Sequence, residues 1–397
     1  MPRFAYNVGV RIYMDYAATT PTDPRVLEAM RPYFTEVFGN ASSVHSFGQE
    51  ARAAVDRARR TLAEALGCQP SEVVLTSGAT EADNWAVVGV ALAHEAKGRH
   101  LVVSSVEHRA VLEPARWLAS RGWEVTFLPV DRHGRVDPDD VRRALRDDTV
   151  LVSVMHANNE VGTVQPVAEV ARVARERGVL VHTDATQTLG ALPVRVDELG
   201  VDLLSASAHK RYGPKGVGLL YVRRGVRVEP LLRGGSHERG RRAGTENVPA
   251  IVGFGKAVEL ALADREAEQA RVRALRDRLV CGLLELEGAV LTGHPSERLA
   301  NNAHLCFEDV ESESLLLALD LRGVAASSGS ACTAGSLEPS HVLRAMGVPR
   351  ELAAGALRLT LGRWTTQAEV DAAVELVREA VAELRRALPR ARSTARG

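Results

Sequence analysis

A lysine ends a short apolar run in the segment SASAHKRYGPKGVG, residues 205–218. Leu203 and Leu204 precede it and Gly213-Pro214 breaks the chain after it, as expected for a strand that ends in a cleft. A lysine in such a place loses hydration, its pKa falls, and the neutral amine becomes a nucleophile that forms Schiff bases. The alternative is that Lys210 is a surface lysine at a strand end, and these residues alone favour neither interpretation.

Two further predicted strands end in residues that suit an anion and a cation. In SGATEADN, residues 77–84, Gly78 permits a tight turn and the amides of Ala79 and Thr80 open a helix, where they can bind a phosphate. Taken alone, this segment favours an ordinary strand-to-helix turn, because it lacks the spacing of a phosphate-binding loop. Asp184 ends the apolar run VLVHTDA, and a buried carboxylate there needs a cationic or hydrogen-bonding partner.

Histidine and amide side chains complete this set. His108 follows a predicted strand, where it could act as an acid or base or stack on a planar ligand, although a lone histidine is more often a satisfied polar residue. Asn158 and Asn159 precede a glycine turn, where amides are usually structural but in a cleft can donate to a phenolate or carboxylate. Gln187 lies three residues after Asp184.

Together these residues fit one ligand, pyridoxal phosphate. Its phosphate suits a helix N-terminus, its pyridinium nitrogen a carboxylate, its ring an imidazole and its aldehyde a lysine. A carboxylate that keeps the ring protonated makes the ring an electron sink for a carbanion.

The elements that position these residues alternate along the first two thirds of the chain. Amphipathic stretches such as VAEVARVARERG, which Gly178 ends, separate short apolar runs. The runs predict strands at 73–77, 100–105, 124–130, 149–155, 179–185, 202–208 and 217–222. This pattern predicts a mostly parallel sheet covered on both faces, with ligands beyond the carboxyl ends of its strands. A helical pattern from about Ala250 to Leu286 then leads into a second domain, with strands near NNAHLCFED and ALRLTLG and a terminal helix AEVDAAVELVREAVAELRRAL.

Composition excludes several other classes of protein. The 397 residues carry 50 basic and 50 acidic side chains, so no net charge recruits nucleic acid or a membrane, and the basic loop RGGSHERGRR is interpreted as a solvated loop beside a phosphate site. No window has 18 apolar residues in a row, and the first residues lack the apolar core of a signal peptide, so we expect a cytosolic protein. Four widely spaced cysteines predict neither a zinc site nor a disulfide framework.

Nine segments of the chain are recognisable together. They are MDYAATTPTDPRV, FGNASSVHSFG, TSGATEADN, EHRAVL, HANNEVGTVQP, DATQTLG, SASAHKRYGPKGVG, HERGRRAGTEN and SSGSACTAGSLEPSHVLRAMG. From about Tyr13 to Leu384 the chain resembles the NifS/IscS-type cysteine desulfurases, pyridoxal-phosphate enzymes of the class-V aminotransferase family. The resemblance implies an α/β fold of the aspartate-aminotransferase-like type (fold type I). It has a large domain over 15–260 with a mostly parallel seven-stranded sheet, and a smaller α+β domain formed by 1–14 and 261–397.

The resemblance also implies an activity and the residues that perform it. Enzymes of this family are homodimers that remove sulfur from L-cysteine, giving L-alanine and an enzyme persulfide. By the same resemblance, Lys210 would form the Schiff base with the cofactor, Asp184 would pair with its pyridine nitrogen, and His108 would stack on the ring and help with proton transfer. Gln187 would bind the phenolic oxygen, Ala79, Thr80, Ser207 and His209 would hold the phosphate, and Thr245 would reach it across the dimer interface. Asn159, also beside the cofactor, and Arg358 would bind the substrate carboxylate.

The resemblance singles out Cys332, in SSGSACTAG, on a predicted mobile loop at about 325–337. Its thiolate is the expected nucleophile toward the substrate sulfur, and the persulfide would pass to an acceptor such as an iron–sulfur scaffold. Cys332 is also a candidate transient ligand of an iron–sulfur cluster, and no other metal site is predicted. Cys68, Cys281 and Cys306 have apolar or helical neighbours and are interpreted as inert buried residues.

Two alternatives to cysteine desulfuration stay open on the sequence. One is another reaction on the same cofactor, such as that of a selenocysteine lyase or an aminotransferase. The other is a catalytically silent scaffold, against which the complete set of Lys210, Asp184, His108 and Cys332 argues. The sulfur acceptor stays open between an iron–sulfur scaffold, a tRNA-thiolation protein and a cofactor pathway.

Overall fold

The computed structural model describes residues 11–329 and 340–387. The strands of this part of the chain are β1 Ile12–Tyr13, β2 Val73–Thr76, β3 His100–Ser104, β4 Glu124–Leu128, β5 Thr149–Ser153, β6 Leu180–Asp184, β7 Leu203–Ser207, β8 Gly218–Val222, β9 Ala289–Leu291, β10 Asn302–Phe307, β11 Val324–Ala325 and β12 Ala356–Thr360. The helices are α1 Pro24–Met30, α2 Pro32–Thr35, α3 Ser46–Leu66, α4 Ala79–Asn84, α5 Val90–His94, α6 Arg109–Ala119, α7 Pro138–Ala144, α8 Val167–Arg175, α9 Val196–Leu199, α10 Val248–Ala263, α11 Arg265–Leu284, α12 Ser312–Leu321, α13 His341–Ala345, α14 Arg350–Ala353 and α15 Gln367–Ala387. A π-helical turn, Trp85–Gly89, joins α4 to α5.

The chain divides into two units. The larger contains residues 19–159 and 163–267, and the smaller contains the described residues before Thr19, the short segment Glu160–Gly162 and the described residues from Glu268 onward.

A seven-stranded sheet forms the centre of the larger unit, with the strand order β2-β8-β7-β6-β5-β3-β4. The pairs β3–β4, β3–β5, β5–β6 and β6–β7 are parallel, and β8 runs antiparallel to both β2 and β7. The mostly parallel sheet and its seven strands are therefore as predicted. The predicted strands are each too long at one or both ends by one or two residues, because the residues there belong to the connecting turns.

Adjacent residues of each central strand point to opposite faces of the sheet, and helices bury both faces. Val102 and Leu204 pack on one face with residues of α3, α8 and α10. Leu101 and Leu203 pack on the other face with residues of α4, α5 and α6. The helices thus cover the sheet on both sides and leave its edges for ligands.

The smaller unit is an α+β structure with its own core. Its antiparallel sheet has the order β12-β10-β9, and β1 pairs in parallel with β11. Residues of α11, α12 and α15, among them Leu279, Leu319 and Val377, pack with this sheet in one apolar cluster. The two strands and the terminal helix predicted for this part of the chain are present.

One predicted element is wrong in its continuity. The helical pattern from Ala250 to Leu286 is two helices, α10 and α11, rather than one. Asp264 separates them with φ −107° and ψ 4°, outside the helical region. Aspartate favours helix ends over helix interiors because its side chain competes for backbone hydrogen bonds. Among the described residues no helix combines the length and apolar character that a membrane span requires, and the cytosolic location stays a prediction.

Candidate active site

Polar residues lie together along one edge of the large sheet, the edge that the carboxyl ends of its parallel strands form. The strands β3, β5, β6 and β7 are parallel, and β2 is parallel to β7 because both are antiparallel to β8. The carboxyl ends of all five strands therefore lie at the same edge. The candidate residues that follow them are Ala79 and Thr80 after β2, His108 after β3, Asn159 after β5, Asp184 and Gln187 at the end of β6, and Ser207, His209 and Lys210 at the end of β7. The fold thus gathers nine of the predicted site residues at one sheet edge.

The turn that carries Lys210 is held tightly by its surroundings. After β7 the chain forms a 3-10 turn, Ala208–Lys210. Thr20 donates its N–H and its hydroxyl to the carbonyl of His209, at 3.0 and 2.9 Å. Tyr212 is buried with φ 60°, and its N–H donates to Oγ1 of Thr20 at 2.7 Å. A tyrosine keeps a left-handed backbone where neighbouring contacts enforce it, so this turn has little freedom.

Asp184 ends β6, the strand next to β7, which leads to Lys210. The β6–β7 ladder pairs it with Ser205, and its side chain is buried. Its Oδ1 accepts the N–H of Thr186 at 2.8 Å. A buried carboxylate at a sheet edge favours a ligand that brings a positive charge or an N–H donor.

Two buried carboxyl groups near Asp184 were not identified from the sequence as site residues. Asp83, on α4, is fully buried, and its pKa is raised well above its ordinary value by burial and then by the charge of Asp184. Burial raises the pKa of Glu107 to about 8, although hydrogen bonds to its Oε1 from Ser104 Oγ and the Met155 N–H, both 2.6 Å, act in the opposite direction. Burial thus raises the pKa of both groups and favours their neutral forms, which limits the negative charge at this edge.

The start of α4 lies close to β7 and β8, because the backbones of Gly78, Ala206 and Gly218 approach one another there. A Cβ on Gly218, the first residue of β8, would lie 2.6 Å from the carbonyl carbon of Gly78 and 2.6 Å from the carbonyl oxygen of Ala206. Only glycine permits this approach. Gly78 directly precedes the amides of Ala79 and Thr80, which open the helix as predicted and are suited to an anion.

His108 caps the next helix, α6. Its Nδ1 accepts the N–H of Ala110 at 3.1 Å, so the neutral ring carries its proton on Nε2. The amide of Asn158 donates to the carbonyl of Val106 at 2.9 Å, which holds the Asn158–Asn159 turn beside the turn that carries His108. The side chain of His108 is exposed.

His209, next to Lys210, is neutral over the physiological pH range. Burial and the neighbouring charges of Lys210 and Lys215 lower its pKa to about 4. Its Nδ1 lies 3.1 Å from the hydroxyl of Thr19. A neutral imidazole and the nearby hydroxyl of Ser207 can both donate to a phosphate.

The 231–247 loop carries Thr245, which is exposed. The loop is anchored by Glu238, which is buried with φ 49° and accepts two hydrogen bonds from Arg59 at 2.6 and 2.7 Å. A second pair joins Arg242 to Glu81 in the first turn of α4, at 2.8 and 3.0 Å. Burial alone would raise the pKa of Glu81, but the hydrogen bonds from Arg242 and Ser77 lower it. The loop is thus fixed to the helix that opens with Ala79.

The remaining predicted residues lie elsewhere. Arg358 belongs to β12 of the smaller unit, where it is buried and donates from Nη2 to Oδ1 of Asp15 at 2.7 Å. Cys332 and most of the predicted mobile loop lie outside the described residues, so its role stays a prediction.

One cysteine interpretation is wrong. Cys306 is buried and Cys68 half-buried, but Cys281 is exposed. Leu279 and Leu283, two residues to either side of it, are both buried. Residues two apart on a helix point to nearly opposite faces, so burial of this leucine pair turns Cys281 toward solvent.

The family model for class-V aminotransferases matches residues 12–373. The chain belongs to the class-V aminotransferase family. Among curated members, cysteine desulfurase IscS of Methanosarcina thermophila is 53% identical over 378 residues, which cover 95% of this chain and 94% of that protein. Cysteine desulfurase IscS of Anaeromyxobacter dehalogenans (strain 2CP-C) is 55% identical over 384 residues, 96% of this chain and 95% of that protein.

Solved structures of similar proteins agree with the fold. A NifS-like protein has a TM-score of 0.88 at 40% identity, covering 94% of this chain and 99% of that one. A structure of SspA in complex with cysteine has a TM-score of 0.80 at 36% identity, covering 89% of this chain and all of that one. The fold and the family expected from the sequence are thereby confirmed.

Proposed function

We propose that this protein is a pyridoxal-phosphate-dependent cysteine desulfurase, which converts L-cysteine to L-alanine and holds the sulfur as a persulfide on Cys332. The observation that carries the proposal is the pairing of two strand ends: β6 ends in the buried carboxylate of Asp184, and the adjacent β7 leads into the constrained turn of Lys210. Over nearly the full length of the chain, about half of the residues are identical to those of proteins named cysteine desulfurase IscS, which supports the same activity.

The residues at this edge fit the cofactor. Asp184 is a buried acceptor for the pyridine nitrogen, and the amides of Ala79 and Thr80 with the neutral His209 are donors for the phosphate. The raised pKa of Asp83 and of Glu107 favours their neutral forms and so limits negative charge that would oppose the phosphate. Pyridoxal phosphate, when bound, supplies an aldehyde for an amine and a ring that withdraws electrons from the Cα of the amino acid.

The chain's own groups then have distinct tasks. Lys210 Nζ would hold the cofactor through its aldehyde and, as a free amine, would be the base for the Cα proton of the substrate. Asp184 would keep a proton on the ring nitrogen, and His108 would offer a proton from Nε2. Arg358 and Asn159 are the proposed partners of the substrate carboxylate.

Sulfur transfer is assigned to Cys332 by family membership. Its thiolate attacks the substrate sulfur, the new S–S bond forms, and the S–Cβ bond breaks with its electron pair staying on carbon. Cβ then takes a proton in place of the sulfur, and Cα regains the proton that Lys210 accepted, which completes alanine. The persulfide passes to an acceptor, for which an iron–sulfur scaffold is the first candidate. One structural relative, SspA, is solved in complex with cysteine, which supports cysteine as the substrate here.

A second copy of the chain is part of the proposal. Thr245 is exposed on a firmly anchored loop, and Leu231 and Leu232 of the same loop are also exposed. A rigid, exposed loop with apolar residues suits an interface, and in a homodimer Thr245 would reach the phosphate of the partner subunit.

The test is an assay of alanine and persulfide on protein loaded with pyridoxal phosphate. We expect cysteine-dependent alanine from the wild type, and loss of cysteine turnover in Cys332→Ala. A selenocysteine lyase would keep selenocysteine turnover and show little turnover of cysteine in the wild type. Protein that stays colourless after addition of pyridoxal phosphate would instead support a silent scaffold and contradict the proposal.

A further inference from the structure

Arg211 directly follows Lys210 and has a buried side chain. Its N–H donates to the carbonyl of Ala208 at 2.9 Å, which closes the 3-10 turn. Its guanidinium leaves the turn and reaches the segment Ala185–Leu189, here called the β6 turn, which directly follows Asp184.

The guanidinium makes two hydrogen bonds to the β6 turn. Nη2 donates to the carbonyl of Gln187 at 2.6 Å, and Nε donates to the carbonyl of Leu189 at 2.9 Å. The planar fork of arginine directs two donors at once, which the single ammonium of a lysine cannot do in the same way. Charged donors form the stronger class of hydrogen bond, and burial strengthens them further.

These hydrogen bonds join the two segments beyond the point where the backbone pairing of β6 and β7 ends. The β6–β7 ladder stops at the pair Asp184 and Ser205, and one further backbone bond joins the Ala185 N–H to the Ser205 carbonyl at 2.9 Å. Beyond this point the β6 turn leads to Gln187 while β7 leads to Lys210. The side chain of Arg211 bridges the two segments after their backbones separate.

Each of the two segments is rigid by itself. The β6 turn closes through N–H donors of Thr188 and Leu189 to the carbonyl of Ala185, at 3.0 and 2.9 Å. The lysine turn is held by Thr20 and by the left-handed Tyr212. A bridge between two rigid segments fixes their separation, whereas a bridge to a flexible segment would not.

We propose that Arg211 is a positioning residue, which sets the distance between the Lys210 amine and the Asp184–Gln187 side of the cofactor site through its two bonds to the β6 turn. The inference rests on the proposed function, because it takes Lys210 and Asp184 as the residues that would bind opposite ends of the cofactor ring. Displacement of a reacting group by about 1 Å can cost about 10²-fold in rate, so such a bridge affects catalysis without contacting substrate.

The test compares Arg211→Lys and Arg211→Met with a matched control, Arg276→Lys, in the full-length protein. Arg276 is also buried and donates from Nη1 to the carbonyl of Leu299 at 3.0 Å, but it lies in the smaller unit. The measurements are the melting temperature, the affinity for pyridoxal phosphate, and the pH midpoint of the visible absorbance of the bound cofactor. kcat and KM for cysteine complete the set.

We expect all three variants to melt earlier, because each loses a buried hydrogen bond. The two Arg211 variants should also bind pyridoxal phosphate about tenfold more weakly, shift the absorbance midpoint, and lower kcat by about 10²-fold with a smaller change in KM. Arg276→Lys should keep the wild-type midpoint and kcat.

An Arg211→Lys protein that melts earlier but keeps the wild-type midpoint, cofactor affinity and kcat would overturn the inference, since Arg211 would then be structural alone. The same measurements on the wild-type protein separate this outcome from failure of the proposed function. If wild-type protein shows no absorbance from a bound cofactor, the desulfurase proposal itself is wrong, whatever the variants do.

Discussion

The β6 turn and the 231–247 loop both carry predicted cofactor ligands, but they are built in opposite ways. The β6 turn is buried, and its backbone is bonded to itself and to Arg211. The 231–247 loop is largely exposed, with Thr245 accessible, and is anchored through the buried Glu238. The buried β6 turn suits the proposed cofactor site of its own chain, whereas the loop presents Thr245 outward, as the proposed contribution to a second copy requires.

The largest expected effect is on the anchor of the exposed loop. Glu238→Gln leaves the buried guanidinium of Arg59 without its charged partner. Breaking a buried ion pair from one side typically costs about 3–5 kcal/mol of folding free energy. Urea unfolding should show this loss, whereas Glu176→Gln, which breaks an exposed pair with Arg142, should unfold like the wild type. Equal stability of both variants would mean that Glu238 does not anchor the loop.

The next effect belongs to the carboxylate before the β6 turn. Asp184→Asn keeps the shape but removes the charge proposed to hold the ring proton, and we expect kcat/KM for cysteine to fall by about 10²–10³-fold. Asp83→Asn is the matched control: burial and the charge of Asp184 raise the pKa of Asp83 and favour its neutral form, which an amide resembles. Similar losses in both variants would show that the charge is not confined to Asp184.

A pH experiment tests whether the β6 turn is dry. The ring of His156 contacts Oγ1 of Thr188 in this turn, Nδ1 to Oγ1 3.0 Å, and burial lowers its pKa to about 4 from 6.5. The unfolded chain therefore binds this proton below pH 6.5 while the folded chain does not. The resulting stability is complete above pH 6.5 and is lost as the pH falls toward 4, at about 1.4 kcal/mol per pH unit.

The measurement is urea unfolding of the wild type and His156→Gln at pH 6.5 and 5.0. The wild type should lose about 2 kcal/mol more than the variant over this interval. Parallel losses would show that water reaches the histidine and that the β6 turn is open.

The smallest effect concerns the exposed loop again. Thr245→Ala removes the hydroxyl that we propose as a donor to the phosphate, so cofactor affinity should fall by about tenfold. Mixing Thr245→Ala with Lys210→Ala subunits tests where Thr245 acts. If it acts across a dimer, mixed dimers carry one site with both defects and one intact site, and wild-type affinity returns in half of their sites. Failure to recover any intact site would place Thr245 in its own subunit's site.

The sequence predicted those parts of the structure that depend on local pattern. Apolar runs separated by helices are sufficient to place β6 and β7 in one sheet, and polar residues at their ends then fall at a common edge. Helix ends were harder to predict: helix-forming residues on both sides of Asp264, LALA before it and REAE after it, continue the helical pattern across the point where α10 ends. Nor does any local signal show that Glu160–Gly162 groups with the smaller unit.

The missed site residues depend on contacts distant in sequence. Asp83 resembles any other polar residue of a helix start, and its burial is decided by how α4 packs on the sheet. Burial raises the pKa of Glu107, and its hydrogen-bond partner Met155 follows a strand end 48 residues away. Arg211 lies in one of the recognisable segments, but its role depends on the position of the β6 turn. The periodicity of α11 was equally weak as a guide to the exposure of Cys281.

The central claim is the covalent assignment of the cofactor to Lys210, and the chain makes it simple to test. The sequence has four lysines, Lys97, Lys210, Lys215 and Lys256. Borohydride reduction of the protein loaded with pyridoxal phosphate, followed by peptide mass mapping, should find one stable pyridoxyl group, on Lys210. Modification of another lysine instead, or of none, would contradict the account.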